Sequence, residues 1–284
     1  MNGILLVNKD KDMTSRDVVN IISKKFNTKK VGHSGTLDPI ATGVLVIAIG
    51  KYTKLINILT SSYKEYIATL KLGIQTDTLD ITGNVLDNKD YNVNKELIVD
   101  TLNSFLGKSI QEVPKYSAVK VNGKKLYEYA RENKEIDLPK KEVTIYELEL
   151  LDKKDNDFVI RAKVSKGCYI RSLINDIGSF LGVGAIMTSL VRTKQGNITI
   201  DNAYTLEDIE KGNYRLLSIE EVIDFPQIVV DNDLEFKIRN GVLVDDMWNI
   251  TDKVLFKNKN NELLGIYQKT NDGLKTWKNF PKTS

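Results

Sequence analysis

The chain has 284 residues, 41% of them hydrophobic, enough to bury a core and to form one large domain with a small one beside it. Its 41 basic and 38 acidic residues leave a formal net charge of +3, too mild by itself to demonstrate nucleic-acid binding. The only cysteine, Cys168, and the only histidine, His33, exclude an intramolecular disulfide and the common zinc sites. No apolar run approaches the ~18 residues of a membrane span, and the N-terminus lacks a signal-peptide pattern. The expectation is therefore a soluble, cytoplasmic protein without a metal or a membrane partner.

In chain order, Ile4 to Val7 reads as a short strand. Thr14-Ser15-Arg16-Asp17 has the form of a capping box, and Val18, Ile21, Ile22 and Phe26 follow at helical spacing. Next comes Gly32-His33-Ser34-Gly35-Thr36-Leu37-Asp38-Pro39-Ile40-Ala41-Thr42-Gly43-Val44-Leu45, which packs three glycines, the histidine and a carboxylate into a turn before an apolar run. Pro39 fixes its own φ and pushes Asp38 toward an extended conformation. A carboxylate aimed in this way can serve as a nucleophile or base; the plainer alternative is an Asx turn before a strand. The density of special residues around Asp38 favours the functional reading.

Lys51 to Leu59 predicts a short helix, and Tyr63 to Gly73 alternates as a half-buried strand does. Lys95 to Leu106 predicts a helix stopped by Gly107. Ser117 to Val121, Glu142 to Leu151 and Phe158 to Val164 predict strands, with a helix over Leu126 to Arg131. Ile170 to Leu181 predicts an amphipathic helix closed by Gly182, and Ala185 to Arg192 a returning strand. Strands and helices alternating irregularly imply an α+β fold with a mixed, largely antiparallel sheet. After Asp224-Phe225-Pro226 the pattern changes to short strands (Gln227 to Val230, Val254 to Phe256, Leu263 to Tyr267) separated by polar turns. This divides the chain into a domain over 1–225 and a small β-rich domain over 226–284.

Charge is unevenly spread. Gly107 to Arg131 holds six basic and two acidic residues, and Thr251 to the end holds seven lysines against three acids. Such patches suit a phosphate-bearing surface as well as an ordinary solvated face. Between Pro114 and Arg131 the basic residues interleave with tyrosines, a pattern fit for phosphates and exposed bases. Gly107-Lys108-Ser109 lacks the upstream glycine of a phosphate loop, since Leu102 stands there, and Gly182-x-Gly184 lacks the third glycine of a dinucleotide fingerprint. A Cys168–His33 dyad has no evident orienting partner. Asp77 and Asp80 read as loop-ordering residues, because nothing nearby completes a ligand set.

The run from Gly32 to Leu45 resembles the signature of the bacterial tRNA pseudouridine-55 synthases, the TruB family. Further matches in family order are Lys64-Glu65-Tyr66, Thr76-Asp77-Thr78-Leu79-Asp80, the tyrosine-rich basic string, Ser165-Lys166-Gly167-Cys168-Tyr169-Ile170-Arg171 and Ser189-Leu190-Val191-Arg192. The N-terminal loop departs from the family's usual Lys-Pro-x-Gly, reading Lys9-Asp10-Lys11-Asp12. The small C-terminal domain resembles, more loosely, the PUA-type RNA-binding domain.

The resemblance implies isomerisation of a uridine in the T-loop of tRNA, position 55, to pseudouridine without a cofactor, by a chain that needs to be no more than a monomer. Asp38 is the implied nucleophile, at uracil C6 or ribose C1′, and Arg171 its ion-pair partner. Tyr66 is implied to stack on the base, with a possible part in the final deprotonation, Tyr169 to line the pocket, and Leu190 to pack beneath the base. His33 is the residue suited to opening the T-loop so that the base can be flipped out. The alternative of another class is a tRNA-binding folding factor that works by opening and releasing the T-arm, for which Asp38 is dispensable.

Overall fold

The structure is a computed structural model that describes residues 1–60, 63–154 and 157–280. The chain opens with β1 (Gly3–Lys9), then α1 (Ser15–Lys25), β2 (Val31–His33) and β3 (Thr42–Ile49). The expected helix over 51–59 is a 3-10 turn at Gly50–Leu55 running into α2 (Ile56–Thr60). There follow β4 (Lys64–Leu72), a hairpin of β5 (Ile74–Thr76) and β6 (Val85–Asn88), α3 (Lys95–Ser104) and β7 (Gly107–Glu112). The expected strand over 117–121 is a correction. Only β8 (Lys120–Val121) pairs, with β9 (Lys124–Lys125), while Ser117, Ala118 and Val119 line a cleft and pair with no strand. After α4 (Leu126–Arg131) come the long hairpin of β10 (Lys140–Lys154) and β11 (Asp157–Val164), α5 (Ile170–Phe180), β12 (Ala185–Gln195), β13 (Ile198–Thr199) and α6 (Leu206–Lys211). The C-terminal part holds β14 (Gln227–Val229), α7 (Asn232–Arg239), β15 (Lys253–Lys257), β16 (Leu263–Thr270) and β17 (Gly273–Asn279).

The architecture is α+β. A nine-stranded sheet runs in the order β1-β3-β12-β4-β11-β10-β7, with β2 and β13 as side branches. Every pairing in it is antiparallel except β3 with β12. The C-terminal sheet, in the order β14-β15-β16-β17, begins one residue after the boundary expected at 225/226. Residues 281–284 of that expected unit lie outside the described residues.

Local sequence explains the elements that carry the site. Thr14 caps α1 by accepting from the Asp17 amide at 3.1 Å, and Asp17 returns the contact by accepting from the Thr14 amide at 2.8 Å. Strands β1 and β3 are apolar on both faces because both faces are covered. Leu5, Val7, Leu45 and Ile47 face a core shared with α1 and α5, while Ile4, Leu6, Val44 and Val46 face a second core with Leu255, Ile266 and Phe280 of the C-terminal part. The C-terminal sheet also has a core of its own around Ile238, Phe256, Tyr267 and Leu274. Lys257 pairs with Glu220 at 2.6 Å across this junction. No helix among the described residues is long and apolar enough to cross a membrane.

The parallel contact of β3 with β12 pairs Gly43 with Arg192. Gly43 sits at φ +101°, and a methyl there would fall 2.3 Å from the Arg192 carbonyl oxygen, so this crossing requires glycine on two counts. Gly43→Ala is therefore expected to lower stability in urea unfolding by more than about 3 kcal/mol. A loss below about 1 kcal/mol would show that the two strands part easily.

Candidate active site

The nucleophile-type turn is pinned from two sides. On the first, the Ser15 hydroxyl, at the start of α1, accepts from the Leu37 amide at 2.8 Å and donates to the Leu37 carbonyl at 3.2 Å. On the second, the Lys9 ammonium, fully buried, donates to the carbonyls of Asp10, Met13 and Pro39 at 2.8, 2.7 and 3.3 Å. Burial brings the Lys9 pKa down to about 8. Asp12 donates its amide to the same Pro39 oxygen at 2.8 Å and adopts φ +65°. That is a left-handed conformation at the position where the resembled pattern carries glycine, which adopts it more readily. Asp38 thus lies between two tethered neighbours.

Arg171 enters from the first turn of α5, where the helix dipole disfavours a cation. Its guanidinium is 5% exposed and faces acceptors from several loops. Nε lies 2.9 Å from Asp38 Oδ2, and Nη2 donates to Asp38 Oδ1 and to the Tyr116 carbonyl, each at 3.0 Å. Nη1 donates to the Thr78 carbonyl at 3.0 Å and stands 3.6 Å from Asp80 Oδ2. One guanidinium thus faces two carboxylates. Burial pushes the Asp38 carboxyl above its ordinary range; Arg171 pulls against this, and the Asp80 charge adds to it.

Asp80 is the member that sequence reading took only as a loop-ordering residue. It does order its loop, accepting from Thr78 Oγ1 at 2.8 Å and the Thr82 amide at 3.0 Å, and Asp77 accepts from the Asn84 amide at 2.8 Å. The usable signal was the run from Thr76 to Asp80 itself, but only the fold carries that run to Arg171. Leu79, within it, sits at φ +63°, a strained conformation for a branched side chain.

These groups border a cleft of about 300 Å³. The cleft brings together Asp38, Arg171, Tyr66, Tyr169 and Leu190. Tyr66 and Leu190, on the adjacent strands β4 and β12, are 7% and 6% exposed. Burial raises both the Tyr66 and the Tyr169 phenols above their ordinary value, so both are neutral near pH 7; Arg192, hydrogen-bonded to the Tyr66 hydroxyl, works against that shift. Gln111 on β7 holds the Tyr169 backbone at both ends, its Oε1 accepting from the amide at 2.7 Å and its Nε2 donating to the carbonyl at 3.1 Å.

His33 is not among the residues of this cleft. It lines an adjoining recess that shares Thr36, Tyr66, Cys168 and Tyr169 with it. There the His33 Nδ1 accepts from the Gly35 amide at 3.3 Å, while burial and the charges of Arg16 and Arg192 keep the imidazole below its ordinary pKa. Cys168 lines the same recess, but burial pushes its thiol up to about 12, which leaves no thiolate for a dyad. No cluster of three or more potential metal ligands occurs among the described residues.

Comparison with known proteins agrees with this architecture. The family described as "TruB family pseudouridylate synthase (N terminal domain)" matches residues 23–170, and "tRNA pseudouridylate synthase B C-terminal domain" matches residues 171–224. The chain belongs to the TruB family of pseudouridylate synthases. Among its relatives are proteins named tRNA pseudouridine synthase B from Clostridium tetani and Oceanobacillus iheyensis. The first is 42% identical over 94% of this chain and 92% of its own, the second 44% over 94% and 93%. A solved Cbf5-Nop10-Gar1 complex contains a chain of similar fold, with a TM-score of 0.74 and 25% identity over 98% of this chain and 85% of that one. A chain of an H/ACA RNP bound to a substrate RNA shares the fold at a TM-score of 0.73 and 24% identity, over 99% of this chain and 85% of that one. TruB-family membership makes the protein an isomerase acting on uridine. The family match ends at residue 224, so it leaves the C-terminal sheet outside.

The electrostatics of the TruB-type cleft can be measured directly. In protein labelled at aspartate carboxyl carbons, the resonance lost in Asp38→Asn is expected to titrate above the ordinary aspartate value of about 3.9. Asp80→Asn should lower that pKa, because it removes a charge that opposes ionisation. An unmoved or rising pKa would show that Asp80 does not act on Asp38.

Proposed function

We propose that this TruB-family protein converts the uridine at position 55, in the T-loop of tRNA, to pseudouridine, with Asp38 as covalent nucleophile. The observation that carries the reading is the Asp38–Arg171 pair on the wall of a cleft that also offers an aromatic face and an aliphatic one. The names of the relatives, tRNA pseudouridine synthase B, support tRNA as the substrate. A uridine in a folded loop must leave its stack before it can enter such a cleft. Tyr66 then provides a stacking face, worth ~1–3 kcal/mol per base, and Leu190 packs beneath the ring. Tyr169 closes the side toward the sugar. His33, neutral and just outside the cleft, is placed to displace the loop as the base moves in.

The Asp38 carboxylate attacks uracil C6 or ribose C1′. The bond between C1′ and N1 breaks, the base turns, and C5 bonds to C1′. On the C1′ route Asp38 leaves C1′ as C5 bonds there, and on the C6 route it leaves C6 last; loss of the C5 proton and uptake of a proton at N1 complete the exchange. The value of a carboxylate here is that one difficult rearrangement becomes several easier covalent steps. Arg171 favours the ionised carboxylate, opposing the burial that raises its pKa. Asp80 shares Arg171, so the guanidinium is not spent wholly on Asp38.

Residues 226–284 are read as a PUA-like RNA-binding domain beside the catalytic domain over 1–225, and its lysines suit the tRNA backbone. The protein works as a monomer in the cytoplasm.

The test is release of tritium from tRNA transcript labelled at uridine C5. Wild type is expected to release it, and Asp38→Asn to lower turnover by at least about a thousandfold while tRNA affinity stays within a few-fold. Loss of binding in the variant would count against the nucleophile assignment. Tight binding with no release even by wild type would favour the folding-factor alternative.

A further inference from the structure

The recess next to the catalytic cleft, of about 390 Å³, has an electrostatic character that the reaction at Asp38 leaves unexplained. Arg192, Lys64 and Lys166 all line it, and none of its described lining residues is acidic. Arg192 is 1% exposed and Lys64 7%, so two of these cations belong to the interior. The Arg192 guanidinium is held by neutral groups: Nε donates to the Val44 carbonyl at 2.7 Å, Nη2 to the Gly35 carbonyl at 3.2 Å, and the Tyr66 hydroxyl is a third contact. No ion pair joins Arg192 to a carboxylate among the described residues. Lys64 donates to the Thr60 carbonyl at 2.8 Å.

The two buried cations converge. Gly35 leaves open the space between them: a methyl there would lie 3.5 Å from Arg192 Nη1 and 3.9 Å from Lys64 Cε. Like charges gathered in a poorly solvated pocket repel one another, and burial together with Arg192 and Lys166 brings the Lys64 pKa down to about 8. Such an arrangement stores unfavourable energy that a bound anion would relieve. The recess also shares Tyr66 and Tyr169 with the cleft, so its ligand lies beside whatever stacks on Tyr66.

We propose that Lys64, Lys166 and Arg192 form an anion seat for one of the two phosphodiesters flanking the target uridine. The seat anchors the strand at the point where the base turns into the cleft. This proposal rests on the functional reading above, since it takes the base on Tyr66 to be that uridine.

The experiment uses the full-length protein and T-arm hairpin RNAs in which the linkage 5′ or 3′ of the target uridine is replaced, one at a time, by an uncharged methylphosphonate. For wild type, one of the two replacements is expected to weaken binding about tenfold, as loss of a charge-assisted contact does. In Lys64→Met and in Lys166→Met, of which the second changes an exposed side chain, the same replacement should cost less than about threefold, because the contact is already gone. The salt dependence of binding should also fall by about one phosphate equivalent in each variant. Equal affinity of wild type for all three RNAs, or a methylphosphonate penalty unchanged in both variants, would overturn the anion seat. Pseudouridine formation on the unmodified hairpin separates this from the wider reading. Product with no linkage effect sinks the seat alone, whereas absence of product sinks the functional reading and the seat with it.

Discussion

The ion pair between Asp38 and Arg171 is the constraint around which the molecule is organised. Placing two charges away from water is unfavourable unless each is closely partnered. Here the partners are drawn from distant parts of the chain: the turn before β3 brings Asp38, the start of α5 brings Arg171, and the loops at Thr78 and Tyr116 bring carbonyls to the same guanidinium. The nine-stranded sheet is what makes these segments neighbours, since β3 and β12 lie side by side and α5 leads directly into β12. Arg171 is the buried member and Asp38 the half-exposed one, and without Asp38 the guanidinium still faces Asp80.

Asp80 gives that contact its character. Were Arg171 bound to Asp38 alone, the pair would be neutral and the carboxylate strongly quenched. A second acid 3.6 Å from the same guanidinium gives Arg171 two carboxyl partners to share. Asp38 is therefore ordered by a partner that it does not hold alone.

Much of this was legible in the sequence, and the reasons differ by residue. The capping box at Thr14, the two-sided apolar run of β3 and the amphipathic α5 are local patterns that the fold preserves. The special residues around Asp38 signalled a site because glycine, proline and an acid in one turn are hard to explain by packing. What escaped was tertiary. Ala118 and Val119 read as a strand on propensity, yet they serve as cleft wall. Strand β17 was missed because lysine and threonine dilute its pattern. Helix α7 was missed although Asp231 caps it by accepting from the Leu234 amide at 2.9 Å, because eight residues give too few turns for periodicity to register. The buried cations Lys9 and Arg192 could not be foreseen, since lysine and arginine are ordinarily exposed and only the carbonyls that meet them make burial tolerable.

Strand β3, which carries the Asp38 turn, is sealed on both faces, one by the catalytic core and the other by side chains of the C-terminal sheet. A strand in that position cannot loosen without opening two cores at once, so the turn has no independent way to fray. The geometry at Asp38 is thus tied to the stability of both cores. On the proposed function, adjustment during recognition falls to the nucleic acid, which has to unstack to reach a site held between two cores. On this account the C-terminal sheet acts on specificity even where it touches no RNA, because by stiffening the floor of the site it makes the deformability of the substrate the quantity being read.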